Sequence, residues 1–302
     1  MENQLLWGID LGGTKIEGAI IESIQPLKVR SRLRIPTEKE KGYEHIIGQI
    51  GKVVDLLRED SGAEPKRIGI GTPGTLDPIT GLMKNANTTA LNGQPLKQDL
   101  EKALGLPVQM ANDANCFAVA EARLGKVPRE APDAQVVFGV IMGTGVGGGL
   151  VINGQVRNGR QGIAGEWGHN FLDFSGGECY CGQTGCVETI ISGPALQRFY
   201  ESESGQKDKL KNILERVDTD VHAKATLDRL IHFFGKGMAS VINTLDPDVI
   251  VLGGGLGNIP DLYTKGVESV KKHVFNHRLD TQFLAPELGD SAGVFGAAML
   301  VA

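Results

Sequence analysis

The chain has 302 residues, 41% of them hydrophobic and 22% charged, with a formal net charge of −5. That length accommodates two domains with cores of their own. The mild acidity and the scatter of Lys and Arg among acids give no electrostatic footing for a nucleic-acid partner, and no apolar run nears the roughly 18–20 residues of a membrane span. Glycine is the anomaly: 42 residues, gathered into a few loops, as expected where backbone turns sharply or approaches a ligand closely. The N-terminal segment enters a strand at once and lacks the charged and apolar regions of a signal peptide, which predicts a cytoplasmic protein.

In chain order, residues 5–11 read as a buried strand, Gly12-Gly13-Thr14-Lys15 as a tight turn, and Ile16 to Ile21 as a returning strand. Gly-Gly suffices for a hairpin. The turn can also be read as a phosphate loop, in which backbone N–H groups, a Thr hydroxyl and a Lys meet a nucleotide and Asp10 faces its metal ion. It is not the Gly-x4-Gly-Lys-Ser/Thr loop, and no helix follows it. A strand near Val29 to Ile35 precedes a helix over Gly42 to Glu59, whose Ile46, Ile47, Ile50, Val53, Val54, Leu56 and Leu57 recur at helical spacing. Arg67 to Gly71 is a strand broken by Thr72-Pro73-Gly74-Thr75, and Lys84 to Gly93 is an amide-rich stretch that reads most simply as a surface loop.

Val108 to Ala111 is a short strand, and Asn112-Asp113-Ala114-Asn115 opens a helix over Cys116 to Leu124. Asp113 suits an N-cap, and a carboxylate at such a junction can equally accept a proton from a substrate hydroxyl. The opening pattern then returns: strand Val136 to Met142, glycine loop Gly143-Thr144-Gly145-Val146-Gly147-Gly148-Gly149, and a meander through Asn153-Gly154. Strand, glycine turn and meander occurring twice predict two domains of similar plan, each presenting a phosphate-gripping turn to a shared cleft. Helices follow over Gly193 to Glu203, Asp208 to Val217 and Val221 to Leu245. Strand Val249 to Leu252 then enters a third glycine turn, Gly253-Gly254-Gly255, and further helices cover Pro260 to Phe275 and Ala292 to Val301. With no low-complexity linker, the boundaries are placed at element junctions, giving residues 1–111 plus 290–302 as a small domain and 112–289 as a large one.

Residues 165–188 carry the most specific local signal. His169, Cys179, Cys181 and Cys186 offer three thiolates and an imidazole on tight turns, a complete tetrahedral set for zinc with no position left for water, so the ion is expected to be structural. A disulfide or buried free thiols are the alternatives; a disulfide belongs to an oxidising compartment, which nothing else in the sequence suggests. A metal clamp on this loop would also fix Glu166 and Glu188, polar groups suited to a sugar's hydroxyls.

Asp10-Leu-Gly-Gly-Thr-Lys15, Asn112-Asp-Ala-Asn115, Gly143-Thr-Gly-Val-Gly147, Glu166-Trp-Gly-His169 with its three cysteines, and Val251-Leu-Gly-Gly-Gly255 together resemble the ROK (repressor, open reading frame, kinase) family of sugar kinases, over nearly the whole length. The resemblance implies an α/β, two-domain actin-like ATPase (ribonuclease H-like) fold, each domain a mixed sheet flanked by helices, with a zinc-binding loop. It implies ATP-dependent phosphorylation of a free hexose at the 6-hydroxyl, with ATP, Mg²⁺ and a structural Zn²⁺, in a homodimer. Asp113 would be the catalytic base; Asn112, Glu166, His169 and Glu188 would contact the hexose, with Gly74 and Asn87 on its far side. Gly12, Gly13, Thr14 and Lys15 would hold phosphates together with Gly143, Thr144, Gly145 and Gly147, and Gly253, Gly254 and Gly255 would approach the adenosine. His169 would serve zinc with one ring nitrogen and a sugar hydroxyl with the other. Asn85 to Pro95 is most similar to the fructokinase (manno-fructokinase) branch, so fructose is the expected acceptor; a glucokinase or N-acetylhexosamine kinase is the alternative. A sugar-responsive repressor would carry a DNA-binding domain ahead of the Asp10 turn, which starts here almost at the first residue, and a non-catalytic sensor would not need Asp113 and both phosphate turns.

Overall fold

A computed structural model describes residues 5–302; the first four residues of the N-terminal segment lie outside that range. In chain order the elements are β1 (Leu6–Leu11), β2 (Lys15–Ile24), β3 (Leu27–Pro36), α1 (Tyr43–Ser61), β4 (Ile68–Thr72), β5 (Thr75–Leu76), β6 (Met83–Lys84), α2 (Leu96–Leu104), β7 (Val108–Asn112), α3 (Asp113–Arg123) and α4 (Val127–Glu130). They continue with β8 (Val136–Met142), β9 (Val146–Ile152), β10 (Gln155–Val156), α5 (Val187–Ile191), α6 (Gly193–Ser204), α7 (Leu210–Leu214), α8 (Val221–Leu245), β11 (Val249–Gly253), α9 (Lys265–Lys271), β12 (Gln282–Leu284) and α10 (Ala292–Met299). No helix among the described residues is long and apolar enough to cross a membrane.

Two five-stranded sheets share one plan. The first has the order β3-β2-β1-β4-β7 and the second β10-β9-β8-β11-β12. In the first, β1, β2 and β3 form an antiparallel meander, while β4 pairs parallel with β1 and β7 with β4. In the second, β10 returns antiparallel on β9, and β11 pairs parallel with β8 and with β12. Parallel neighbours need a crossover, and helices supply it.

The chain divides into two compact units. One holds the chain up to Asp133, Gly149–Ala164 and Glu287–Ala302; the other holds Ala134–Gly148 and Gly165–Pro286. The break expected at Ala111 is therefore not where the compact units part. Helix α3 follows directly from β7 and packs on α10, so Asp113 stays with the first sheet. In the first unit, α1 buries Ile46, Ile50, Val53, Val54 and Leu57 against Trp7, Ile9, Ile16 and Ile20. Glycine at positions 8 and 69 lets α10 lie on the backbone of β1 and β4: a Cβ there would come within 2.3 Å of Val294 O and against Ala297 O. In the second unit α8 buries Leu227, Leu230, Phe234 and Met238 at helical spacing.

Some elements depart from expectation. Helix α2 occupies a stretch with no assignment, because its amphipathic signal is short and only Leu96 and Leu100 are buried. The glycine loop is shorter than expected: β9 begins at Val146, so Gly147, Gly148 and Gly149 are strand residues. Helix α9 is confined to Lys265–Lys271, with a single-turn 3-10 helix, Pro260–Tyr263, before it.

Candidate functional site

In the first unit, Asp10 is the next-to-last residue of β1 and the turn Gly12-Gly13-Thr14 leads into Lys15 on β2. The N–H of Gly12 donates to Lys15 O at 3.0 Å, and its carbonyl accepts from Thr37 Oγ1 at 2.7 Å. Gly12 therefore shapes the turn and does not offer its N–H outward, in contrast to its expected role as a phosphate donor. Thr14 and Lys15 are exposed. A Cβ at Gly13 would lie 3.6 Å from Lys39 Nζ and 3.7 Å from Thr88 Oγ1, which places a second lysine and a second threonine at this turn. Nothing in the local sequence signals either; both arrive through tertiary folding.

Asp10 carries a raised pKa, about 6. Burial contributes most, followed by the charges of Asp113 and Glu17, and Lys15 and Arg34 oppose the rise. Glu17 is itself buried, accepting from Arg32 Nε and from Arg34 Nε at 2.7 Å. Asp113 reaches solvent, but protein crowds its carboxyl on most sides. That loss of hydration raises its pKa, against the lowering effect of backbone donors including Ala114 N–H at 2.8 Å.

The helix cap is not Asp113. Asn112 has extended backbone angles and accepts from Asn115 N–H at 2.9 Å through its side chain, so Asn112 is the N-cap and Asp113 the first helical residue. The residue expected to touch sugar thus has a structural duty, and the capping alternative for Asp113 falls away. Gly74, at φ 85°, packs on the backbone of Ala86 next to Asn87, so these two predicted residues do come together. Asn92 explains why: its side-chain oxygen accepts from Ala86 N–H at 2.8 Å and its amide donates to Ala86 O at 3.0 Å. That amide, part of the stretch expected to serve a sugar, is used instead to pin the segment bearing Asn87.

In the second unit the turn after β8 is closed by Gly143 N–H on Gly145 O at 2.9 Å. Glu188 accepts from Val146 N–H at 2.8 Å, and Trp167 Nε1–H donates to Gly147 O at 2.8 Å. A Cβ on Gly145 would stand 2.6 Å from Glu188 Oε2, so only glycine lets the carboxylate this near the turn. Gly147, expected at the phosphates, is instead a strand residue held by Trp167. A cavity of about 600 Å³ is lined by Gly143, Thr144 and Gly255 together with Gln197, Leu214 and Ile259. Two of the three glycine turns therefore open onto one space, walled by α6 and α7 residues that no motif announced. Gly253 is buried in β11, and Gly254, at φ 76°, would drive a Cβ to 2.3 Å from Met142 O.

The loop beyond β10 brings its four donors together. The ligand atoms of His169, Cys179, Cys181 and Cys186 all lie within 4.8 Å of one another. Cys181 Sγ and Cys186 Sγ are 3.6 Å apart, too far for a disulfide, and Cys179 Sγ is 3.6 Å from His169 Nδ1. Two sulfurs on one tetrahedral zinc stand about 3.8 Å apart, from a Zn–S bond of about 2.3 Å. The tight turn is set by Gly182 N–H on Cys179 O and by a bridge between Glu178 and Thr184. With Nδ1 toward the sulfurs, His169 turns Nε2 to Tyr180 Oη at 3.0 Å. Tyr180 is largely exposed, but loss of hydration around its hydroxyl, then the charges of Glu188, the neighbouring thiols and Glu166, push the phenol up to about 12. Glu166 and Glu188 are both half-buried on this unit.

A model of the ROK family matches residues 6–302. The chain belongs to the ROK family. The two-domain actin-like ATPase fold implied by the motifs is accordingly the fold of this ROK protein. It is 35% identical over 308 residues to an N-acetyl-D-glucosamine kinase of Aliivibrio salmonicida, covering 98% of this chain and 99% of that one. Among solved structures it is similar to a ROK hexokinase from Thermus thermophilus, with a TM-score of 0.87 and 31% identity over 98% of this chain and 97% of that one. It is also similar to a ROK family glucokinase from Streptomyces griseus in complex with glucose and AMPPNP, with a TM-score of 0.75 and 29% identity over 98% of each chain. By name these relatives are kinases of N-acetyl-D-glucosamine, of hexose and of glucose.

Proposed function

We propose that this ROK protein transfers the γ-phosphoryl group of ATP to the 6-hydroxyl of a hexose, with N-acetylglucosamine the favoured acceptor. The observation that carries the acceptor is the 35% identity, along essentially the whole of both chains, to a kinase of that sugar. It displaces the fructose expectation, whose residue-level basis also weakens, since Asn92 holds backbone.

Phosphoryl transfer asks the protein for positioning and charge stabilisation more than for covalent chemistry. Asp113, at the start of α3 and not engaged as its cap, takes the proton of the attacking hydroxyl. Desolvation raises its pKa, the direction that strengthens a carboxylate as a proton acceptor. Glu166, His169 and Glu188 hold sugar oxygens, with Asn87 set beside Gly74 for the same task. Thr14 and Lys15 meet phosphate oxygens, and the cavity against Gly143 and Gly255 takes the adenosine.

Asp10 fits magnesium: it is an oxygen donor whose ionised form is disfavoured by burial and by the charges of Asp113 and Glu17, an imbalance that a divalent cation relieves. The ion would neutralise phosphate charge. The sulfur–imidazole cluster fits zinc, with His169 Nδ1, Cys179, Cys181 and Cys186 as ligands, and the ion would cross-link the loop that carries the sugar-facing groups.

A coupled assay of ATP turnover against N-acetylglucosamine, glucose, mannose and fructose tests the proposal. The expected kcat/KM for N-acetylglucosamine exceeds that for fructose by a factor of ten or more, about 1.4 kcal/mol. A tenfold preference for fructose would restore the first expectation, and turnover stimulated by no sugar would remove the kinase reading.

A further inference from the structure

Tyr180 stands between two metal-ligand candidates, Cys179 and Cys181, so its backbone is fixed on both sides by the same loop that presents His169. Its side chain lies at the surface: it is 79% exposed, with the ring edge-on to the imidazole at 5.2 Å between centroids. Its hydroxyl has one hydrogen-bond partner among the described residues, His169 Nε2 at 3.0 Å. Because Nδ1 points at the Cys179 sulfur, a metal ligated there leaves the imidazole proton on Nε2. That N–H then donates to the phenolic oxygen. It is the same N–H that, in the function proposed above, donates to a sugar oxygen.

One N–H has one proton, and a phenol 3.0 Å away already accepts it. We propose that Tyr180 is a stand-in for the substrate oxygen: it satisfies His169 while the site is empty and must swing off Nε2 for a sugar to bind. An exposed ring held by a single hydrogen bond can make that move. An apolar side chain at position 180 would leave His169 waiting for substrate or water, and a buried one would block the nitrogen permanently. The proposal rests on the reading that His169 grips sugar, and it adds a residue that sets how tightly the site does so.

The signature is distinctive. Displacing a stand-in costs the same whatever arrives, so its removal strengthens binding of every sugar that uses His169 by one common factor. A residue that touched the sugar itself would weaken binding when removed, and by different factors for different sugars. Calorimetric Kd values for N-acetylglucosamine and glucose, on the zinc-loaded protein and on Tyr180→Phe, distinguish the two. The phenylalanine keeps the ring and deletes only the oxygen. Both sugar Kd values should fall by the same factor, roughly threefold to tenfold for one net hydrogen bond, with ATP affinity and zinc content unchanged. Tyr180→Ala should show the same gain and repeats the test should the first variant fold poorly.

The contact itself is read independently of activity. The ¹⁵N resonance of His169 Nε2, free of sugar, should move on Tyr180→Phe. Sugar Kd values that are unchanged, weaker, or altered by unequal factors overturn the stand-in while leaving the kinase reading in place, as does an unmoved Nε2 resonance. Wild-type protein that binds neither these two sugars nor mannose and fructose overturns the kinase reading and the stand-in with it.

Discussion

The turn after β1 and the turn after β8 occupy equivalent places in sheets of the same strand order, yet they are held by different means. The first is closed by its own hairpin and by Thr37, and leaves Thr14 and Lys15 exposed, with Lys39 and Thr88 beside Gly13. The second is gripped from outside: Glu188 takes Val146 N–H and Trp167 takes Gly147 O. The first therefore gathers hydroxyl and positively charged side chains, whereas the second is tied to the loop that carries the sulfur–imidazole cluster and opens onto the cavity against Gly255. A repeated sheet has kept its backbone plan while its two turns have taken separate chemical duties. Glycine has separate uses as well, as open turn in one place and as packing clearance in the other.

The largest expected effect tests where the base resides. Asp113→Ala should lower kcat by about 10²–10⁴ with little change in melting temperature, because the cap of α3 is its neighbour. Asn112→Ala should do the reverse in stability, costing about 1 kcal/mol for a lost N-cap. Steady-state kinetics and thermal unfolding of the two variants, side by side, decide it. If Asp113→Ala turns over at near wild-type rate, the first unit does not supply the base.

Asp10 comes next. Its pKa is about 6 in the folded protein against 3.8 for the unconstrained carboxyl. A raised carboxylate favours the folded state only when protonated, so the penalty is absent below about pH 4, grows between 4 and 6, and is full above 6. In chelator, without divalent cations, Asp10→Asn should therefore be more stable than wild type at pH 8 by about 3 kcal/mol, with the gap closing as pH falls to 4. A constant gap from pH 4 to 8 would show that Asp10 is not the strained group, and that the first turn carries no charge imbalance for a cation to relieve.

On the other unit, metal analysis should find one zinc per chain. Cys181→Ser should lose it, together with a fall in kcat/KM for sugar on the order of 10–100-fold. Full activity without zinc would separate the second turn from the metal loop and dissolve the contrast drawn above.

Much of this was readable before the structure, and what was not readable shares one cause. The motifs gave Asp10, Asp113, both glycine turns, and His169 with its cysteines, because each sits at a strand end or tight turn where chain-local spacing fixes geometry. Helix α8 was readable because Leu227, Leu230, Phe234 and Met238 write its period directly. Lys39, Thr88 and Gln197 were not, since each reaches its site across a fold and carries no local pattern. Trp167 and Tyr180 sit inside quoted motifs whose spacing does not disclose their partners, Gly147 O and His169 Nε2. The cap on α3 was misassigned by one residue because Asn and Asp are near-equivalent caps, and only backbone angles separate them. The fructose expectation rested on the similarity of Asn85 to Pro95 to the fructokinase branch, and within that segment the amide of Asn92 proved to be occupied by backbone.

The smallest expected effect bears on glycine itself. Gly13 and Gly148 both belong to glycine-rich signals that read alike in sequence. At Gly13 an added Cβ would meet nothing nearer than 3.6 Å, and its φ is not in the left-handed range. At Gly148 it would come within 2.7 Å of Phe138 Cζ and 2.8 Å of Trp167 Cδ1, two rings packed against β9. Overpacking of this kind costs typically 1–3 kcal/mol, and Trp167 cannot retreat without giving up its bond to Gly147 O. Gly148→Ala should therefore destabilise the protein by about 1–3 kcal/mol in denaturant unfolding. Gly13→Ala should leave stability within about 0.5 kcal/mol, the range of a substitution that disturbs no packing, and should weaken ATP if the first turn holds phosphate. Should Gly13→Ala unfold the protein and Gly148→Ala leave it intact, the two turns would have to exchange the roles argued for them: the first would be the packed one and the second the open cradle.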